Sequence, residues 1–222
     1  MLKISSKIPT KNLPIKRVLA KLTQSFIYTH LDDKEHKGEQ HSSGKIFKAL
    51  NFRVGYYDYN LTIEFTSLDP QNERRLAQAI FSNGLKLGEV TITDTSVQLI
   101  DKTTTQNALK VKGFVAVDIK DGKNEKRKIY IEPKTSKFQE IIKNNALQKY
   151  ETFFNEPYQD TFEIEVVYQK EQPKLFFYSK QPIKSWFAIY HIKASTKMLN
   201  MLLAIGMGKD TMKNLGFLEV VA

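Results

Sequence analysis

The apolar residues of this chain switch between strand and helix spacing, and the order of those switches constrains its fold more than any other feature. Residues 2–8 open as a short strand. Leu13, Val18, Leu19, Leu22, Phe26 and Ile27 then recur at helical spacing, predicting an amphipathic helix over residues 14–31. Residues 46–57 and 59–66 read as strands, with Leu61, Ile63 and Phe65 alternating against Thr62, Glu64 and Thr66. Asp69-Pro70 supplies a helix cap followed by proline at the first helical position, and Gly84 a stop. Residues 87–100 read as one or two further strands. Strand, helix, strand, strand, helix, strand is the order of a ferredoxin-like unit.

A polar run over 101–107 reads as a linker between halves 1–104 and 105–222. The second half repeats the α+β character. A strand carries Val111, Val115, Val117 and Ile119; a basic, turn-rich segment follows at 120–128. A helix spans residues 136–153, then Phe162, Ile164 and Val166 alternate as a strand. Two more strands cover 174–179 and 183–193. Ser195 or Thr196 caps a short helix with Met198, Leu199, Leu202 and Ile205 on its apolar side, and 217–221 is the last strand. No sequence repeat relates the halves.

Charge narrows the function. Lys and Arg number 34 against 24 Asp and Glu, giving net +10 and a pI near 9.5, the electrostatic footprint of a nucleic-acid binder. There is no cysteine, so disulfides, thiolate catalysis and cysteine-ligated zinc are excluded. The most apolar run, residues 198–207, is far short of the roughly 20 residues of a membrane span. A soluble cytoplasmic protein without membrane association is expected.

The tail carries the sharpest local signal. Gly206, Gly208, Lys209, Lys213 and Gly216 form a glycine-rich, lysine-bearing loop between an apolar helix and an apolar strand. Exposed amides beside lysines make an anion-binding concavity. The spacing is not that of a Walker loop, and the helix-to-strand order is the reverse of a dinucleotide fingerprint. The loop therefore reads as a clamp on a phosphate backbone. Lys126, Arg127 and Lys128 in the basic segment join it as candidate nucleic-acid backbone contacts. Tyr56, Tyr57 and Trp186 are aromatics for which core packing is the stronger reading than base stacking.

Four histidines are present. His30 closes the first helix, where a cation complements the dipole, and His191 lies in a strand; both read as structural. His36 and His41 sit in the polar segment 32–44, which reads as a mobile loop, where a histidine can move protons near neutral pH. No acidic cluster has the spacing of a metal site, so a two-metal nuclease is not expected, nor any other cofactor.

Together, the early histidine segment, the tandem α+β halves and the tail resemble the CRISPR-associated repeat-cleaving endoribonucleases, the Cas-six family. The family tail runs Gly-apolar-Gly, a polar stretch, then Gly-apolar-Gly. Gly206-Met207-Gly208 and Gly216-Phe217 fit, whereas Leu218 replaces the last glycine. The resemblance implies tandem ferredoxin-like (RRM-like) domains with a C-terminal glycine-rich loop. It implies metal-independent cleavage of CRISPR repeat RNA by the 2′-hydroxyl, leaving a 2′,3′-cyclic phosphate and a 5′-hydroxyl. It also implies a tyrosine, a histidine and a lysine as catalytic residues, carried onto Tyr28, His41 and Lys45, with His36 and Lys48 as rivals. Expected partners are the repeat RNA and CRISPR effector subunits, with a homodimer as a further arrangement. The alternative function is an RNA-holding effector subunit that does not cut.

Overall fold

A computed structural model describes residues 1–8, 18–122, 124–178 and 182–221, without the side chains of 124–127. The first half runs β1 (Leu2–Lys7), α1 (Leu19–Thr29), α2 (Asp33–Lys37), β2 (Glu39–Gln40), β3 (Ile46–Phe47), β4 (Leu50–Tyr57), β5 (Asn60–Ser67), α3 (Pro70–Asn83), β6 (Leu85–Leu87), β7 (Val90–Ile92) and β8 (Ser96–Leu99). Its main sheet has the antiparallel order β4-β5-β1-β8. With α1 and α3 as the two connecting helices, this is the ferredoxin-like arrangement. The alternation that marks β5 in the sequence puts Leu61, Ile63 and Phe65 into a core with Leu2, Ile4 and Phe52. Asp69 caps α3 as its sequence requires, its carboxylate accepting from the Gln71 amide at 2.9 Å.

The second half runs β9 (Ala108–Val115), β10 (Asp118–Asp121), β11 (Asn124–Tyr130), α4 (Ser136–Phe154), β12 (Glu163–Gln169), β13 (Lys174–Phe176), β14 (Ile183–Lys193), α5 (Thr196–Ile205), a 3₁₀ turn (Thr211–Lys213) and β15 (Glu219–Val220). The strand order β12-β14-β9-β15, with α4 and α5 as crossovers, repeats the first half's topology without repeating its sequence. Of the two candidate caps for α5, Ser195 is the one used, accepting from the Met198 amide.

Several sequence expectations are corrected. The first helix is described from Leu19, and residues 9–17 lie outside the described residues. The segment 32–44 is not one polar loop, because it folds α2 and a strand of the β2–β3 hairpin. The strand expected over 46–57 breaks after Phe47, and the one reaching Ile119 breaks after Val115. The basic segment is a β-hairpin, β10–β11, rather than a turn-rich stretch. Trp186 is 6 % exposed and belongs to the interior, whereas Tyr57 is 86 % exposed.

The halves interlock. Met212, from the tail, is buried in the core of the first half, and Leu68 packs against the core of the second. Arg53 on β4 bridges Glu64 on β5, its Nε 2.6 Å from the carboxylate, and Glu219 on β15 at 2.9 Å. Lys112 on β9 reaches Glu219 at 3.0 Å. Lys102 lies between them with its Nζ 3.7 Å from the centre of the Phe217 ring. Burial pushes the Lys102 pKa down to about 7, with Glu64 the chief opposing influence.

Candidate functional site

The C-terminal half of α1, β3 with its flanking lysines, one face of α4 and the loop after α5 enclose an open groove of about 680 Å³. Tyr28, Lys45, Lys48, Lys149, Lys209 and Lys213 line it. The segments flanking β3, one helix face and a loop, not the main sheets, thus supply the groove's cationic groups, as expected for a site carried by a rigid scaffold.

Tyr28 does not stand alone. The His36 ring of α2 lies against it, with centroids 4.6 Å apart and planes at 45°. The Lys48 ammonium sits 5.9 Å from the Tyr28 ring centre and donates to the backbone carbonyl of His36. Burial, followed by Tyr178 and Glu35, pushes the Tyr28 phenol up to about 12, so it holds its proton at neutral pH. Burial lowers the Lys48 pKa against the pull of Glu35.

His41 stands elsewhere. Its Nδ1 accepts from the Ser43 amide at 3.1 Å, which leaves Nε2 to donate to Glu151 of α4 at 3.2 Å. The ring is buried and faces a separate depression beside Thr152 and Asn155. Lys45 is exposed and donates to Gln148 at 2.8 Å. Of the two rival assignments, the geometry therefore brings His36 and Lys48 to Tyr28, and holds His41 apart.

The opposite wall is the glycine loop. Gly206 ends α5 at φ 75°, a left-handed conformation suited to glycine, and a Cβ there would strike the Asn51 side chain. At Gly216, φ 73°, a Cβ would strike the Met207 carbonyl. These contacts leave room for a tight ladder: Met207 N–H donates to Gly216 O at 2.9 Å, Gly216 N–H to Phe114 O at 2.7 Å, and Lys209 N–H to Ala116 O at 3.0 Å. Asn214 ties the loop to the first half by accepting from the Val54 amide at 2.8 Å and donating to the Val54 carbonyl at 3.0 Å. Gln24 of α1 donates to Met212 O at 2.8 Å. Leu218, where the family pattern has glycine, is 1 % exposed and serves the second core.

The expected phosphate contacts are engaged within the protein. Lys209 Nζ lies 2.8 Å from an Asp118 carboxylate oxygen, Lys128 3.2 Å from the other, and Lys213 2.6 Å from Asp210. Burial raises the Asp118 pKa, but Lys209 and then Lys128 more than offset it and hold the carboxyl below its ordinary value. The side chains of Lys126 and Arg127 lie outside the described residues.

Two residues that sequence reasoning missed are Asp118 and Lys149. Lys149 is 3 % exposed and donates to the carbonyls of Gly206 at 2.8 Å and Gly208 at 3.2 Å. A signal existed: Phe138, Ile142, Ala146 and Lys149 recur at helical spacing, which puts a lysine on the buried face of α4.

Residues 98–220 match a family described as CRISPR associated protein Cas6, C-terminal. No curated protein is significantly similar to the chain in sequence. Solved structures share the fold. One is a Cas6-related gene product from Pyrococcus furiosus, with TM-score 0.74, 14% identity, and coverage of 99% of this chain and 98% of that one. A RAMP protein described as binding different RNA substrates gives 0.71 at 13% identity, with both chains covered in full. A protein described as CRISPR associated protein Cas6 gives 0.67 at 17% identity, covering 100% of this chain and 99% of that one. Since the family match spans more than half of its residues, the chain belongs to the Cas6 family of CRISPR-associated proteins.

Proposed function

We propose that this protein is an endoribonuclease that cuts CRISPR precursor RNA within its repeats without a metal ion. The observation that carries this reading is the cluster of Tyr28, His36 and Lys48 beside a groove whose other wall is a lysine-bearing glycine loop. The family membership supports it, and a structure described as a Cas6 product complex has the same fold at TM-score 0.67 and 12% identity, covering 99% of this chain and 98% of that one.

The reaction follows from the groups present. The ribose 2′-oxygen attacks the adjacent phosphorus, the P–O5′ bond breaks, and a 2′,3′-cyclic phosphate and a 5′-hydroxyl remain. His36 takes the 2′-hydroxyl proton or protonates the departing 5′-oxygen. Tyr28, protonated at neutral pH, donates a hydrogen bond to the phosphoryl group. Lys48 and Lys45 offset the extra negative charge of the pentacoordinate transition state. The groove contributes by holding the 2′-oxygen in line with the leaving oxygen. We assign proton transfer to His36 rather than His41, because His36 touches Tyr28 whereas His41 is committed to Glu151.

The second reading, an RNA-holding subunit of an effector complex, draws on the shared fold with the RAMP protein described as binding different RNA substrates. Incubation with repeat RNA in EDTA, with analysis of the product ends, separates the two. One cut per repeat with a cyclic phosphate supports the nuclease, and loss of cutting when the scissile ribose lacks its 2′-hydroxyl confirms the nucleophile. Tight binding without a cut overturns it in favour of the subunit. Size-exclusion chromatography with and without RNA tells whether the chain acts as a monomer or homodimer, and co-purification from cytoplasmic extract tests its association with effector subunits.

A further inference from the structure

We propose that Lys149 is a positioning residue for RNA cleavage: it clasps the carbonyls of Gly206 and Gly208 and so sets where the loop wall stands opposite Tyr28. This inference rests on the endoribonuclease reading.

Lys149 is an uneconomical choice for packing alone. It sits on the face of α4 that also carries Phe138, Ile142, Ala146 and Tyr150, all in the second core. A methionine would fill that space without desolvating an amine. No carboxylate pairs with its Nζ among the described residues; the groups that meet it are two peptide carbonyls, at 2.8 and 3.2 Å. Both belong to the turn that ends α5, where carbonyls have no helical partners and the dipole is negative. An ammonium fits there, and a neutral amine still has the two N–H donors the carbonyls need.

The clasped turn leads directly into the functional wall. Gly208 precedes Lys209 and the 3₁₀ turn that presents Lys213, and all three residues line the groove with Tyr28 and Lys48. The other loop ties, from Asn214, Gln24 and the Phe114 and Ala116 carbonyls, hold residues 209–216. Lys149 holds the side where the loop leaves α5. Because its Nζ is engaged with the Gly206 and Gly208 carbonyls, its effect on chemistry runs through the loop.

The test compares wild type, Lys149→Met and Lys149→Gln by thermal unfolding, amide hydrogen exchange over residues 207–216, and single-turnover cleavage of repeat RNA with its affinity. The expected result for Lys149→Met is a melting temperature close to wild type and faster exchange at Met207, Lys209 and Gly216. Cleavage should be about 100-fold slower at saturating RNA, the scale of an ångström-level misplacement, with affinity changed far less. Lys149→Gln, which keeps a donor, should recover part of the rate. Wild-type cleavage with an unchanged loop in Lys149→Met would overturn the proposal. So would a rate loss that merely tracks the unfolded fraction, which marks a structural lysine. If Lys149→Met does not fold, Lys149→Gln is read by the same criteria. If wild type binds RNA without cutting, the nuclease reading fails while loop exchange in the variants still reports on the clasp itself.

Discussion

An imidazole in ring contact with a phenol, and an ammonium over that phenol, form a unit whose members should fail together. His36→Ala is expected to slow single-turnover cleavage by about 10²–10⁴-fold with little change in RNA affinity, measured by gel quantification and filter binding. His41→Ala should act differently. It removes the anchor between the β2–β3 hairpin and Glu151, so it should lower the melting temperature more than it slows any cleavage by the folded protein. The reverse pattern would return the proton-transfer role to His41. Lys149 sets a pH dependence of stability. Its ordinary pKa of 10.5 applies in the unfolded chain, and burial lowers it to about 7 in the fold. Between those values the unfolded state binds more protons, so this lysine's contribution to stability is complete above 10.5 and is lost as pH falls to 7. The stability of wild type relative to Lys149→Met should therefore rise with pH across that window in urea titrations.

At the scale of elements, the sequence was most legible where one period ruled. β5 and α3 follow from alternation and from Asp69-Pro70, because each satisfies its own burial and capping needs locally. The strand breaks after Phe47 and Val115 were not legible, since they are set by what the next segment packs against rather than by local propensity. The same holds for the site. Tyr28 could be placed on a helix and the histidines in a connecting segment, but the choice between His36 and His41 depends on α2, a single turn too short to announce itself by periodicity. The glycine loop was legible in composition and only partly in charge, because Asp118 arrives from a hairpin some 90 residues earlier in the chain. This pairing sharpens the expectation for Lys209→Ala combined with Lys213→Ala. Each lysine that exchanges its carboxylate for an RNA phosphate contributes about 0.7 to the log–log salt slope of single-strand binding. The double variant should flatten that slope in binding titrations across salt, and an unchanged slope would show that both lysines keep their carboxylates when RNA binds.

Across the whole molecule, the two halves share side chains as well as an interface. Met212 sits 5 % exposed in the core of the half opposite to its own, and its truncation to alanine should cost about 2–5 kcal/mol in denaturant unfolding, as for other buried methionines. Because Met212, the Asn214–Val54 bonds and the Arg53–Glu219 pair all join the halves, unfolding should be a single transition by calorimetry and by circular dichroism. Two resolved transitions would show that the halves, divided near residues 104 and 105, are energetically independent.

The double hydrogen bond between Asn214 and the Val54 backbone has a mechanical meaning. It makes the glycine loop a weld rather than a hinge. Swinging the two halves apart like jaws would tear that seam, so under the proposed function a guest is expected to fit the gap as it stands, with selectivity falling to the shape of the guest more than to any motion of the host.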